Sequence, residues 1–229
     1  MKAFAIVAIL ALMIPVAGSA QVQVTTDPAT MTNGFMNVFN LPAPDGDGAF
    51  QFASPWGFGD LRASFSGTEL TMTPNAINDP NEFWYQCVGD ATPPDCGGPG
   101  APGNKIMEAN AYSEVLDGSL AGQTVEFSFE VLSNTLTDAH TVTAFIRDFA
   151  PDFSSVNETV IPVDAAGAYS LTLDTLADPA RPVQWGIQMV GVNVWETDLA
   201  PFGEIVIGAN LVVSNDDNSF GKVKALFSN

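Results

Sequence analysis

The chain has 229 residues, of which only 14% are Asp, Glu, Lys or Arg, and 26 acids against 7 Lys and Arg give a net charge of -19. This length fits one domain or two small ones, and an apolar share of 46% argues against intrinsic disorder. So acidic a chain repels nucleic acid and anionic lipid, which leaves cations and neutral partners.

The N-terminus reads as an export signal. Lys2 precedes an apolar run over residues 3–16, and Gly18, Ser19 and Ala20 then supply the small residues of a cleavage site. The run is short for a membrane span, and no later apolar stretch approaches the length of one, so membrane insertion is not expected. The expected division is a secretory signal peptide over residues 1–20 and a single domain over residues 21–229. The expected destination is outside the cell, at its surface, or in the periplasm. Cys87 and Cys96 both follow the signal. An oxidising export route predicts a disulfide closing the Pro- and Gly-rich loop between them, worth roughly 2–3 kcal/mol.

Strand signals dominate the exported part. Residues 50–53 alternate, and residues 61–65 and 70–73 form a hairpin around Ser66-Gly67-Thr68. Residues 105–112 set Ile106, Glu108, Asn110 and Tyr112 against Lys105, Met107, Ala109 and Ala111. Residues 124–132 are the clearest strand, with Val125, Phe127, Phe129 and Val131 on one face and Glu126, Ser128 and Glu130 on the other. Strands at 141–148, 156–163, 167–173, 183–190 and 203–207 follow, each bounded by turn residues. No helical period persists after the signal. Short strands at this spacing predict an all-β, antiparallel β-sandwich, and the length suits a jelly roll.

Catalytic signals are weak. His140 is the single histidine, read here as a surface residue of the turn at 137–140. There is no G-x-S-x-G elbow and no H-E-x-x-H zinc motif. With 26 acids a carboxylate pair can always be proposed, so the acids carry no signal for glycoside hydrolysis. Glu126 and Glu130 read as the solvated face of their strand. No catalytic residue is assigned.

Aromatic residues say more. Trp56, Trp84 with Tyr85, and Trp195 with Glu196 lie in loop or strand-edge contexts rich in polar neighbours. Such groups can stack on a sugar and read its hydroxyls, while burial in the core is the alternative for each tryptophan. Trp185 lies inside a strand and reads as core. Asp45 and Asp47 in a Gly-rich turn are candidate ligands for a structural Ca²⁺, which would relieve self-repulsion in so acidic a chain; a solvated turn is the alternative.

Several stretches together resemble a known group. They are SPWGFGDL at 54–61, GNKIMEAN at 103–110, VEFSFEVLSNT at 125–135, TAFIRDF at 143–149 and the piece at 183–206. The chain over residues 34–208 is similar to noncatalytic jelly-roll, carbohydrate-binding-like modules of secreted marine bacterial proteins, the family-4-like sandwich type. The resemblance implies glycan binding through loop or concave-face aromatics, often with a structural calcium, and it carries over to the Trp56 and Trp195 loops. The expected function is therefore noncatalytic binding of a polysaccharide by Trp stacking and polar hydrogen bonds. The alternative is a self-associating structural subunit of an extracellular layer, filament or matrix, pairing through QVQVTT at the N-terminus or VKALF at the C-terminus. An enzyme, a polysaccharide lyase or hydrolase, is the minor third reading.

Overall fold

A computed structural model describes residues 21–79, 81–82 and 98–210. The signal segment, Trp84, Tyr85, Cys87, Cys96 and the VKALF tail lie outside the described residues. The rest is an antiparallel β-sandwich of jelly-roll type, as the strand pattern predicts. In chain order the strands are β1 (Gln21–Val24), β2 (Asn33–Asn40), β3 (Phe50–Pro55), β4 (Ala63–Ser66), β5 (Glu69–Met72), β6 (Ala76–Ile77) and β7 (Lys105–Val115). They continue with β8 (Thr124–Asn134), β9 (His140–Phe149), β10 (Val156–Pro162), β11 (Gly167–Asp174), β12 (Val183–Val192), β13 (Val194–Trp195) and β14 (Ile205–Ala209).

Strand β8 organises the first sheet. It pairs with β11 along one edge. Its other edge is shared end to end by β1, parallel over Thr124 to Phe127, and by β14, antiparallel over Phe129 to Asn134. The sheet then runs from β14 to β5 and β4. QVQV therefore pairs inside its own sheet. The β4–β5 hairpin turns at Gly67, whose φ of 61° is the left-handed conformation that such a turn requires. The second sheet is antiparallel throughout, in the order β10-β9-β12-β7-β2-β3. The chain alternates between the sheets, and β6 and β13 add a small parallel pair at one end.

The core lies between the sheets. From the first sheet come Val125, Phe127, Phe129 and Val131, none more than 1% exposed, and Leu171 and Ile205 join them. From the second come Met36, Val38, Met107, Ala109, Ala111, Ala144, Ile146, Trp185 and Ile187. Phe129 stacks on Tyr169 with ring centroids 5.4 Å apart. Truncating a buried phenylalanine of this kind to alanine costs about 3–5 kcal/mol. Trp185 is core, as expected, and its indole N–H donates to Thr25 O at 3.3 Å.

Two buried polar groups define the ends of the second sheet. Asp148 is fully buried at the end of β9. Its carboxylate accepts from Arg181 Nε at 2.7 Å and from the Leu176 N–H at 2.8 Å, and its carbonyl accepts from Arg181 Nη2 at 2.6 Å. These bonds pin the β11–β12 loop. His140, at the other end of β9, is not the surface turn residue that its sequence context predicts. It is 6% exposed, packed edge-on to Phe202 and against Gly191, where the missing side chain leaves room for the imidazole. Its Nε2–H donates to Val192 O at 2.9 Å, while Nδ1 is buried without a partner.

Two outcomes follow. Arg181→Ala strands a buried carboxylate and should lower stability by about 3–5 kcal/mol, read from the urea midpoint. Burial pulls the His140 pKa below its ordinary 6.5, partly offset by the Val192 bond. The unfolded chain then takes up a proton as pH falls through 6.5 while the folded chain does not, so stability is lost on that descent. Urea midpoints measured from pH 8 towards pH 5 should decline in the native protein and stay flatter in His140→Gln.

Candidate ligand-binding groove

The side chains of the second sheet that face away from the core form a trough of about 630 Å³. It crosses from Pro55 on β3 to Val156 and Glu158 on β10, six strands that at about 4.8 Å spacing span roughly 24 Å. Strand β7 supplies its centre. Met107, Ala109 and Ala111 point into the core, so period two turns Glu108, Asn110, Tyr112 and Glu114 into the trough. Phe35 and Asn37 stand beside them on β2, as cross-strand partners of Asn110 and Glu108. Gln184 of β12 and Arg147 and Phe149 of β9 continue the lining, and Phe153 from the β9–β10 hairpin closes that end.

The polar groups of the floor are fixed by cross-strand bonds. Asn110, 3% exposed, is the hub. Its Oδ1 accepts from Arg147 Nη1 at 3.0 Å and from Gln188 Nε2 at 2.9 Å. Its Nδ2 donates to Glu108 O at 3.2 Å and Phe35 O at 3.3 Å. Arg147 Nε donates to Glu158 at 3.1 Å, and the guanidinium lies 3.9 Å over the Phe145 ring. Asn37 Nδ2 donates to Glu108 Oε1 at 2.6 Å, and Gln184 Nε2 to Glu114 Oε1 at 2.7 Å. Asn110, with both amide hydrogens and both carbonyl lone pairs used, fixes the geometry of the floor, while the carboxylates of Glu108, Glu114 and Glu158 keep fixed directions and spare lone pairs.

Apolar surface stands above this floor. Phe35, Tyr112 and Phe149 are half-buried, and Phe153 is 61% exposed. Gly186 is the cross-strand neighbour of both Tyr112 and Phe145, and a Cβ there would come within 2.7 Å of Tyr112 Cβ. Burial first, then the Glu114 carboxylate, raise the Tyr112 phenol above its ordinary value, so it stays a hydroxyl donor at neutral pH. Phe153 has a φ of 57°, unusual for a bulky residue, at a backbone cost of about 1–3 kcal/mol. Three carboxylates against one guanidinium leave the trough net negative. Apolar faces beside a few fixed polar groups are the makings of a small-molecule or oligomer site.

The residues singled out in the sequence lie elsewhere. Trp56 is half-buried at a second hollow of about 730 Å³, its indole N–H donating to Ser54 Oγ at 3.0 Å. Arg62 lines the same hollow and pairs with Glu196, and Ile77 lines it too and packs against Trp195. Trp56, Glu196 and Trp195 are thus brought to one end of the sandwich. Trp195, however, is 8% exposed, which leaves little ring face for stacking. Trp84 and Tyr85 lie outside the described residues.

Asp45 and Asp47 sit in the exposed β2–β3 loop. Asp47 Oδ1 already accepts from Asn40 Nδ2 at 2.7 Å and the Ala49 N–H at 2.9 Å, and these bonds lower its pKa, the Ala49 bond most. No group of three or more His, Cys, Asp or Glu able to hold a metal occurs among the described residues. Ca²⁺ takes about six to eight oxygens, so backbone carbonyls and waters would have to complete a site around these two carboxylates. On the opposite sheet Glu126 is not simply solvated. It accepts from Gln23 Nε2 at 2.7 Å and also from Gln21 and Ser170.

No family model and no curated protein matches the chain. Solved structures similar to it include one described as the structural basis for promiscuous specificity of carbohydrate-binding modules from the β-sandwich superfamily. That one is 18% identical, covers 72% of this chain and 67% of the other, and has a TM-score of 0.33. Another is the CBM22-1–GH10 module pair of Clostridium thermocellum endo-1,4-β-D-xylanase 10B with xylohexaose, 13% identical over 61% of this chain and 28% of that one, at 0.27. A third is the CBM22-1–CBM22-2 tandem of Paenibacillus barcinonensis Xyn10C, 13% identical over 81% and 76%, at 0.24. The chain spans little more than a quarter of the xylanase pair's length.

Proposed function

We propose that the protein is a secreted, noncatalytic polysaccharide-binding protein, and that the trough on the second sheet takes the sugar chain. The observation that carries this reading is the floor around Asn110, Arg147, Glu108 and Gln188, hydrogen-bonded in advance and overlooked by the rings of Phe35, Tyr112 and Phe149. A pyranose presents an apolar face and an equator of hydroxyls, and such a trough offers a partner to each. The groups are held before the ligand arrives, so little ordering opposes binding. The export signal read at residues 1–20 supports placement outside the cytoplasm. Among the described residues no helix is long and apolar enough to cross a membrane.

Charge selects within the sugars. A trough carrying three carboxylates in a chain of net charge -19 repels uronate polymers and favours neutral ones. Calorimetric titration of β-glucan, xylan, agarose and alginate should give saturable binding to a neutral polymer and none to alginate. Tyr112→Ala should weaken that binding at least tenfold, about 1.4 kcal/mol. Trp56→Ala is the matching control at the second hollow and should leave it unchanged. Flat traces for all four polymers would remove the reading.

A further inference from the structure

Phe153 combines features that no packing role explains. It sits in the tight hairpin between β9 and β10 with a left-handed φ of 57°, where glycine or asparagine is the usual residue. The turn enforces that conformation. The Phe153 N–H donates to Ala150 O at 2.8 Å, the Ala150 N–H to Ser155 O at 2.8 Å, and Asp152 accepts from both the N–H and the hydroxyl of Ser154. The ring recovers little by burial. It is 61% exposed, its centroid lies 5.4 Å from that of Phe149 with a 50° tilt, and it lines the trough where the β9–β10 hairpin ends it. A strained backbone holding an exposed aromatic ring is the pattern of a residue kept for what it presents.

We propose that Phe153 is the terminal stacking platform of the trough, and that it sets how many neutral pyranose units the trough accepts. The proposal rests on the polysaccharide reading above. The ring extends the apolar wall of Phe149 and Val156 beyond the last hydrogen-bonding group, Glu158. A sugar there meets apolar surface and few polar partners, so this position grips a ring face without reading its hydroxyls. Neutral chains of any substitution at that unit are accepted, and a chain too short to reach it loses the contact.

The test is a ladder of neutral oligosaccharides of increasing length, cut from whichever polymer binds and titrated by calorimetry. In the native protein affinity should climb with each unit until the trough is full. Phe153→Gly and Phe153→Asn, both suited to a positive φ, should remove the last increment, about tenfold, and leave shorter oligosaccharides unaffected. Phe153→Tyr should keep it. Melting temperatures of the Gly and Asn variants should stay within about 2 °C of the native protein, since relief of strain offsets the lost ring contact. Tyr112→Ala, in mid-trough, should lower affinity at every length. Unchanged ladders in both variants would overturn the platform while leaving the polysaccharide reading intact. A fall in melting temperature of more than about 5 °C in both variants would make the residue structural and overturn it equally. If the native protein binds no oligosaccharide, the polysaccharide reading fails and the platform with it.

Discussion

Strand β7 has to satisfy two surfaces at once. Its alternation buries Met107, Ala109 and Ala111 between the sheets and lifts Glu108, Asn110, Tyr112 and Glu114 into the trough. A slip of one residue would exchange the two sets, placing carboxylates in the core, and that cost fixes the register. The neighbours β2 and β12 are then held in phase, and through β12 so is β9. Arg147 reaches Asn110 only because of that phasing. The core and the site are thus two faces of one register.

The second constraint is electrostatic. A chain of net charge -19 holds only three arginines that the sandwich describes, and each is committed to a carboxylate. Arg181 anchors a loop on buried Asp148, while Arg147 orders the trough floor between Glu158 and Asn110. The buried pair acts by preventing an unpaired charge more than by adding net stability. On the proposed reading the same chemistry serves recognition in the trough, because a guanidinium held by two partners keeps its remaining donors aimed in one direction.

Much of the scaffold was legible from alternation alone. The two faces of β7 and β8 are the two sets of residues that period two separates, and the Gly67 hairpin lies where its turn residues put it. Strand β2 was not, for a physical reason. Phe35 and Phe39 alternate with Met36 and Val38, so both faces look apolar and the period vanishes. One of those faces is the wall of the trough. Tryptophan content drew attention to the loop end, while the rings over the trough are Phe35, Tyr112, Phe149 and Phe153. Nothing separates those three phenylalanines from the other thirteen until the register is known. His140 is the residue whose surface reading fails, because a turn position says nothing about where the imidazole points.

The most direct measurement is amide chemical-shift mapping of the native protein with a neutral oligosaccharide that saturates it. The account predicts shifts concentrated at Phe35, Glu108, Asn110, Tyr112, Arg147 and Gln184, on the outer face of the second sheet. Shifts concentrated instead at Trp56, Arg62, Ile77 and Glu196 would move the site to the loop-end hollow and contradict the account.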